Sequence, residues 1–124
     1  MALTEDEIVD ALSASDLPIN DLEVFDAETD PNSLLGRPGQ YTVKVSWEDG
    51  RLTDSIDPSG TLEVFPDAES MQRRADYIEE IGQEVPMLLQ WIFTDERTGA
   101  VLRVSSDLTP EQAAEYETWL QSLA

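Results

Sequence analysis

Hydrophobic and polar positions alternate most clearly between residues 41 and 47. Tyr41, Val43, Val45 and Trp47 interleave with Thr42, Lys44 and Ser46. A period of two sends successive side chains to opposite faces and predicts a strand. Shorter alternations predict two more. Leu22 and Val24 stand against Glu23 and Phe25, and Leu62 and Val64 lie within the stretch from Gly60 to Phe65. From Met87 to Thr94 both sides are apolar. Met87, Leu89, Trp91 and Phe93 fall on one, Leu88 and Ile92 on the other. Such a strand is expected at the centre of a sheet. Asp95 to Gly99 reads as a turn, and Ala100 to Ser105 returns as its antiparallel partner.

Helical spacing appears in three other stretches. Thr4 to Ser15 opens on Thr4 with Glu7 three residues on, the spacing of a capping box, and carries Ile8 and Leu12 on one side. Leu17-Pro18 ends it. A second helix starts at Pro66-Asp67, with Asp67 as cap, places Ala68, Met71, Ala75 and Ile78 on one side, and is expected to stop at Gly82. Thr109-Pro110-Glu111-Gln112 supplies cap, first-turn proline and box glutamine for a third. Its apolar side is Ala113, Tyr116, Leu120 and Leu123.

The element order αβββαββα predicts a single α+β domain over residues 1–124, with residues 1–3 read as a frayed or cloning-derived end. The expected architecture is a meandering antiparallel sheet of about five strands with helices packed on one face. The 124 residues suffice for one core. No apolar run approaches the roughly 20 residues of a membrane span, and Thr4, Glu5, Asp6 and Glu7 are unlike the start of a signal peptide.

Charge narrows the function classes. The formal net charge is −20, with Lys44 the single lysine. Such a chain repels phosphates and anionic lipid, so direct nucleic-acid binding is not expected. A basic partner, cations or plain solubility remain. Histidine and cysteine are both absent, so Ser-His-Asp and Cys-His catalysis and thiolate metal sites cannot be built. The expectation is a non-enzymatic chain with no cofactor and no bound metal.

The stretch from Asp26 to Gln40 is a long loop, which in a compact domain is often functional. Asp26, Glu28, Asp30 and Asn32 alternate like the start of a calcium loop, but Pro31 stands at the glycine position and Arg37 at the closing glutamate. A solvated turn accounts for them better. Gly36-Arg37-Pro38-Gly39 lacks the glycine order of a phosphate loop and reads as a tight turn into the Tyr41 strand. Arg37, a lone cation there, is expected to pair with Asp26, Glu28 or Asp30. Asp26, Glu28, Asp30, Asn32, Arg37 and Tyr41 therefore form the candidate interaction loop. Trp47 and Trp91 read as core, Trp119 as partly exposed, and Arg73-Arg74 as local ion pairing along a helix.

The segment Thr29 to Tyr41 resembles a group of small, mostly uncharacterised lipoproteins of actinobacteria with a signature of the form DPN-x-LLGRP-x-x-Y-T. Gly60 to Phe65, Arg74 to Ile78, Val101 to Ser105 and Leu108 to Tyr116 also fit that pattern. The resemblance implies display outside the membrane behind a secretion signal and an acylated cysteine, both missing from this sequence. It brings no catalytic residues. The resulting expectation is an extracytoplasmic, monomeric accessory or binding domain for an unknown protein or small ligand. The alternative is a cytoplasmic acidic inhibitor or immunity-type protein, a DNA mimic covering a basic surface.

Overall fold

A computed structural model describes residues 4–26, 28–29, 35, 40–52, 59–84 and 90–123. Eight elements follow in the expected order: α1 (Glu5–Ala14), β1 (Ile19–Val24), β2 (Val43–Asp49), β3 (Gly60–Val64), α2 (Ala68–Glu84), β4 (Gln90–Asp95), β5 (Ala100–Ser105) and α3 (Pro110–Ser122). They form one α+β unit around a five-stranded sheet in which every neighbouring pair is antiparallel.

The helix starts follow from local chemistry. Thr4 accepts from the Glu7 amide while the Glu7 carboxylate accepts from the Thr4 amide, a complete capping box. Thr109 and Gln112 repeat it at α3. Asp67 accepts from the Ser70 amide at 2.7 Å at the start of α2. That bond holds the Asp67 carboxyl below its ordinary value. Gly82 does not stop α2, which runs on to Glu84 with Gly82 buried in its last turn.

Strand order departs from a plain meander. It runs β1-β2-β3-β5-β4, so β3 pairs with β5 and the apolar strand β4 lies at the edge rather than the centre. The reason β4 is apolar on both sides is that α2 packs on one of its faces and α3 on the other. The beginning of that expected strand, Met87 to Leu89, lies outside the described residues.

Helices cover both faces of the sheet, not one. Val45, Trp47, Leu62, Val64, Leu102 and Val104 join Ile8 and Leu12 of α1 and Ala113, Tyr116 and Leu120 of α3 in one core. The alternate positions point the other way. There Val101 packs with Met71, Ala75 and Ile78 of α2 and with Tyr41 and Phe65. The α2 side of β2 and β3 carries polar residues. Lys44, Ser46, Thr61 and Glu63 on that side are nevertheless buried.

β1 contains a bulge between Asn20 and Glu23, with Asp21 at φ 52°. The added residue brings Ile19 and Leu22, three apart, onto the same core and leaves Val24 exposed. Trp119, expected to be partly exposed, is only 9% exposed, because α1 lies against it and the Ala11 carbonyl accepts from its indole N–H at 3.4 Å.

Candidate functional site

The predicted interaction loop is seen at its ends. Asp26 folds back on itself: its Oδ1 accepts from the amides of Glu28 and Thr29, each at 2.9 Å. Those bonds, Thr29's first, hold its carboxyl below the ordinary value. The Asp26 carboxylate thus caps its own turn, and Glu28 is exposed beside it. Asp30, Asn32 and Arg37, with the Gly36 to Gly39 turn, lie outside the described residues. Tyr41 belongs to the interior, fully buried and edge-on to Phe65 at 5.8 Å.

Upstream of the loop, the free edge of the sheet is acidic. Asp21 and Glu23 of β1 are exposed and lead to Asp26 and Glu28. Charges and a bulge on an edge strand also guard against unwanted pairing.

The strongest concentration of charge lies inside, on the α2 side of the sheet. Glu63 is 0% exposed. Its Oε1 accepts from Arg74 Nε at 3.2 Å, and its Oε2 from Arg103 Nη2 at 3.2 Å and from Arg74 Nη2 at 3.4 Å. Lys44 Nζ stands 3.7 Å away. The fold places these groups by register. Lys44 faces Glu63 directly across β2 and β3, Arg103 comes from β5 on the other flank, and Arg74 descends from α2. Burial lowers the Arg103 guanidinium from its ordinary value, and Arg74 beside it adds to that, while Glu63 works in the opposite direction.

Aromatic rings frame this centre. Lys44 Nζ lies 5.4 Å from the ring centres of both Phe25 and Tyr41. Arg74 lies 5.8 Å from Tyr41 and from Tyr77. These distances are within cation–π range. Phe25 and Tyr41 flank the loop, so both its ends are tied to Lys44. None of Glu63, Arg103 or the Arg74–Glu63 pair was singled out from sequence. Arg73 behaves as expected, pairing with Glu69 along the helix at 3.3 Å, but Arg74 reaches across to β3. A usable signal did exist: isolated charges of opposite sign at Lys44, Glu63 and Arg103, each flanked by apolar strand residues.

A second polar network fastens α3 to β2. Trp47 Nε1 donates to the Tyr116 hydroxyl at 3.3 Å, and that hydroxyl donates to Asp49 Oδ2 at 2.8 Å. Arg51 makes a two-pronged contact with Asp49 and reaches Glu115 at 2.8 Å. Burial pushes the Tyr116 hydroxyl up, and its bond to Asp49 adds to the effect. For Asp49, burial alone would raise the carboxyl, but the bonds from Arg51 and Tyr116 more than offset it and the net shift is downward. A carboxylate with a depressed folded value stabilises the protein above its unfolded value, near pH 4, and loses that contribution as pH falls through the folded value. Acid also relieves repulsion among the other carboxylates. The readout is therefore a difference: in thermal melts from pH 7 to pH 2, the gap between wild type and Asp49→Asn should narrow as pH drops. A constant gap would remove Asp49 from the acid response.

Every lysine and arginine among the described residues, namely Lys44, Arg51, Arg73, Arg74, Arg97 and Arg103, is held in an ion pair. Arg97 also donates to the Gln121 and Leu123 carbonyls at the end of α3. Exposed carboxylates lie on all three helices, on both sides of the sheet: Glu5, Asp6 and Asp10 on α1, Glu79, Glu80 and Glu84 on α2, Glu111 and Glu117 on α3. Among the described residues no three acidic groups converge in a way that could hold a metal ion, and no helix is long and apolar enough to cross a membrane. No family model, curated protein or solved structure matches this chain.

Proposed function

We propose that the chain is a non-enzymatic binding domain of the cell envelope, displayed outside the membrane, which meets a basic partner along the acidic edge running from β1 into the loop. The observation that carries this reading is the disposition of charge. The described cations are committed to internal or local pairs, so the exterior offered to a partner is carboxylate. Asp21, Glu23 and Glu28 are exposed along one edge. Complementary charge raises encounter rates and selects basic surfaces. The envelope location goes with the resemblance of residues 29–41 to actinobacterial lipoproteins.

The cytoplasmic DNA-mimic reading is less well supported. A mimic concentrates its carboxylates on one face, whereas here they lie on helices against opposite faces of the sheet. Location is tested by fractionating the source cells: an acylated form in the membrane supports the envelope, and a soluble cytoplasmic form overturns it. The binding edge is tested by calorimetry with a short oligoarginine peptide at physiological ionic strength. Replacing Asp21, Glu23 and Glu28 together by their amides should weaken binding about tenfold, or roughly 1.4 kcal/mol. The same change at Glu79, Glu80 and Glu84 on α2 removes equal charge and should cost much less. Equal losses in both variants would mean that general surface charge, not this edge, does the binding.

A further inference from the structure

Between α1 and α3 the surface opens into a groove of about 390 Å³, within the size range of small-molecule sites. Glu7, Ala11, Ala14 and Ser15 line it along one stripe of α1 and its cap, and Ser122 lines it from α3. Beyond Glu7 these side chains are short, so the groove stays open above Trp119 and Leu123. Its polar chemistry is one-sided. The side-chain donors in the lining are turned to backbone: the Ser15 hydroxyl donates to the Leu12 carbonyl, the Ser122 hydroxyl to that of Trp119, and the Trp119 indole N–H to that of Ala11. The amides of Ser15 and Leu123 bond back to Leu12 and Leu120. Acceptors remain. Glu7 uses Oε1 for its capping box, while its Oε2 accepts no bond and Glu7 joins no ion pair among the described residues. The last turns of both helices line the groove without a basic residue, and each brings the negative end of its helix dipole. Arg97 does bond the Gln121 and Leu123 carbonyls, but Asp95 holds its charge.

We propose that this groove is a binding site for a small organic amine, whose ammonium donates to Glu7 Oε2 and whose apolar body lies on Trp119 and Leu123 beside Ala11. A lining that offers acceptors and negative potential but no side-chain donor rejects anions and selects a ligand that brings its own N–H groups. An ammonium carries donors only, which matches that lining. The floor is apolar, so the body of the ligand covers it by displacing water. Glu7 is exposed, and an exposed charge pair contributes little by itself. The apolar body therefore supplies most of the affinity, and the carboxylate supplies the preference for a cation. The groove shares no residue with the acidic β1 edge and stands independently of the basic partner proposed above.

The test is NMR on the whole ¹⁵N-labelled chain, following the Trp119 indole N–H, whose bond to Ala11 ties it to the groove. The signal is assigned by through-bond experiments on the wild type. Phenethylammonium chloride is titrated against methylammonium chloride, phenylethanol and sodium phenylacetate at equal ionic strength. The expected result is a saturable shift with phenethylammonium. Phenylethanol should bind about two- to fivefold more weakly, the worth of one exposed ion pair, and phenylacetate more weakly still. Methylammonium, which lacks the apolar body, should not saturate over the same range. The Trp47 indole N–H, buried against Tyr116, should stay still. Glu7→Gln removes the charge but keeps a capping box of the kind that Gln112 makes at α3, so the fold is retained. It should bring phenethylammonium down to the level of phenylethanol. No saturable shift, or an equal one with methylammonium, overturns the site. Unchanged phenethylammonium binding in Glu7→Gln, or equal binding of the alcohol or the acid, overturns the amine assignment.

Discussion

Glu63→Gln should destabilise the protein by about 3–5 kcal/mol, the range for removing one partner of a buried ion pair. The substitution keeps the shape of the side chain and deletes its charge. Arg74, Arg103 and Lys44, which now converge on one anion, would then face one another. Their mutual repulsion acts in a region closed to water, since Glu63 itself is fully buried. Against a typical total of about 5–15 kcal/mol this is a large fraction. For a chain of this size it corresponds to a fall of roughly 10–20 °C in Tm. Thermal and urea unfolding would measure it. A loss below about 1 kcal/mol would mean that water reaches the centre and screens it, as at a surface pair.

Gly60→Val should cost about 3 kcal/mol, in the upper part of the range for overpacking a core. Gly60 lies opposite Trp47 across β2 and β3, and a Cβ added there would clash with the indole ring. The ring has nowhere to go. It is buried, stacked on Tyr116 at 6.0 Å with 24° between planes, and hydrogen-bonded to the Tyr116 hydroxyl. Moving it breaks the chain that continues to Asp49 and Arg51. Combining Gly60→Val with Trp47→Leu separates the two effects, because a smaller partner leaves room for the new methyl groups. The double variant should lose less than the sum of the two single variants in urea melts. Strict additivity would show that the valine is tolerated by movement elsewhere.

What the chain discloses by itself is mostly local. Thr4 with Glu7, and Thr109 with Gln112, announce their helices because a capping box is decided within four residues. The alternation from Tyr41 to Trp47 announces β2 for the same reason. The misreadings share one cause: contacts distant in sequence. The apolar character of β4 reads as a central position, because nothing near Trp91 or Ile92 indicates that two helices cover an edge strand. Trp119 seemed exposed because it sits one step from Leu120, and only α1, more than a hundred residues earlier, buries it. Nothing beside Lys44 in the sequence marks it as buried, since α2 and Arg103, which cover it, are remote from it in the chain. The candidate loop was visible from its composition, but the charge centre that its flanking residues Phe25 and Tyr41 touch was not.

The sheet order carries a consequence for how the chain comes together. β1, β2 and β3 pair with neighbours in the chain, and so do β4 and β5. The two groups meet only where β3 joins β5, through pairs such as Thr61 with Arg103 and Glu63 with Val101. Between those strands stand α2 and β4, and bringing so long a segment's ends together carries the larger loop-closure entropy. Pairings of this kind, distant in sequence, are the slow ones in folding. The sheet is thus two kinetic halves with a single seam, and the Glu63–Arg103 pair lies on it. Until the seam closes, Arg103 has no Glu63 to meet, so that pair forms only in the step that joins the two halves of the sheet.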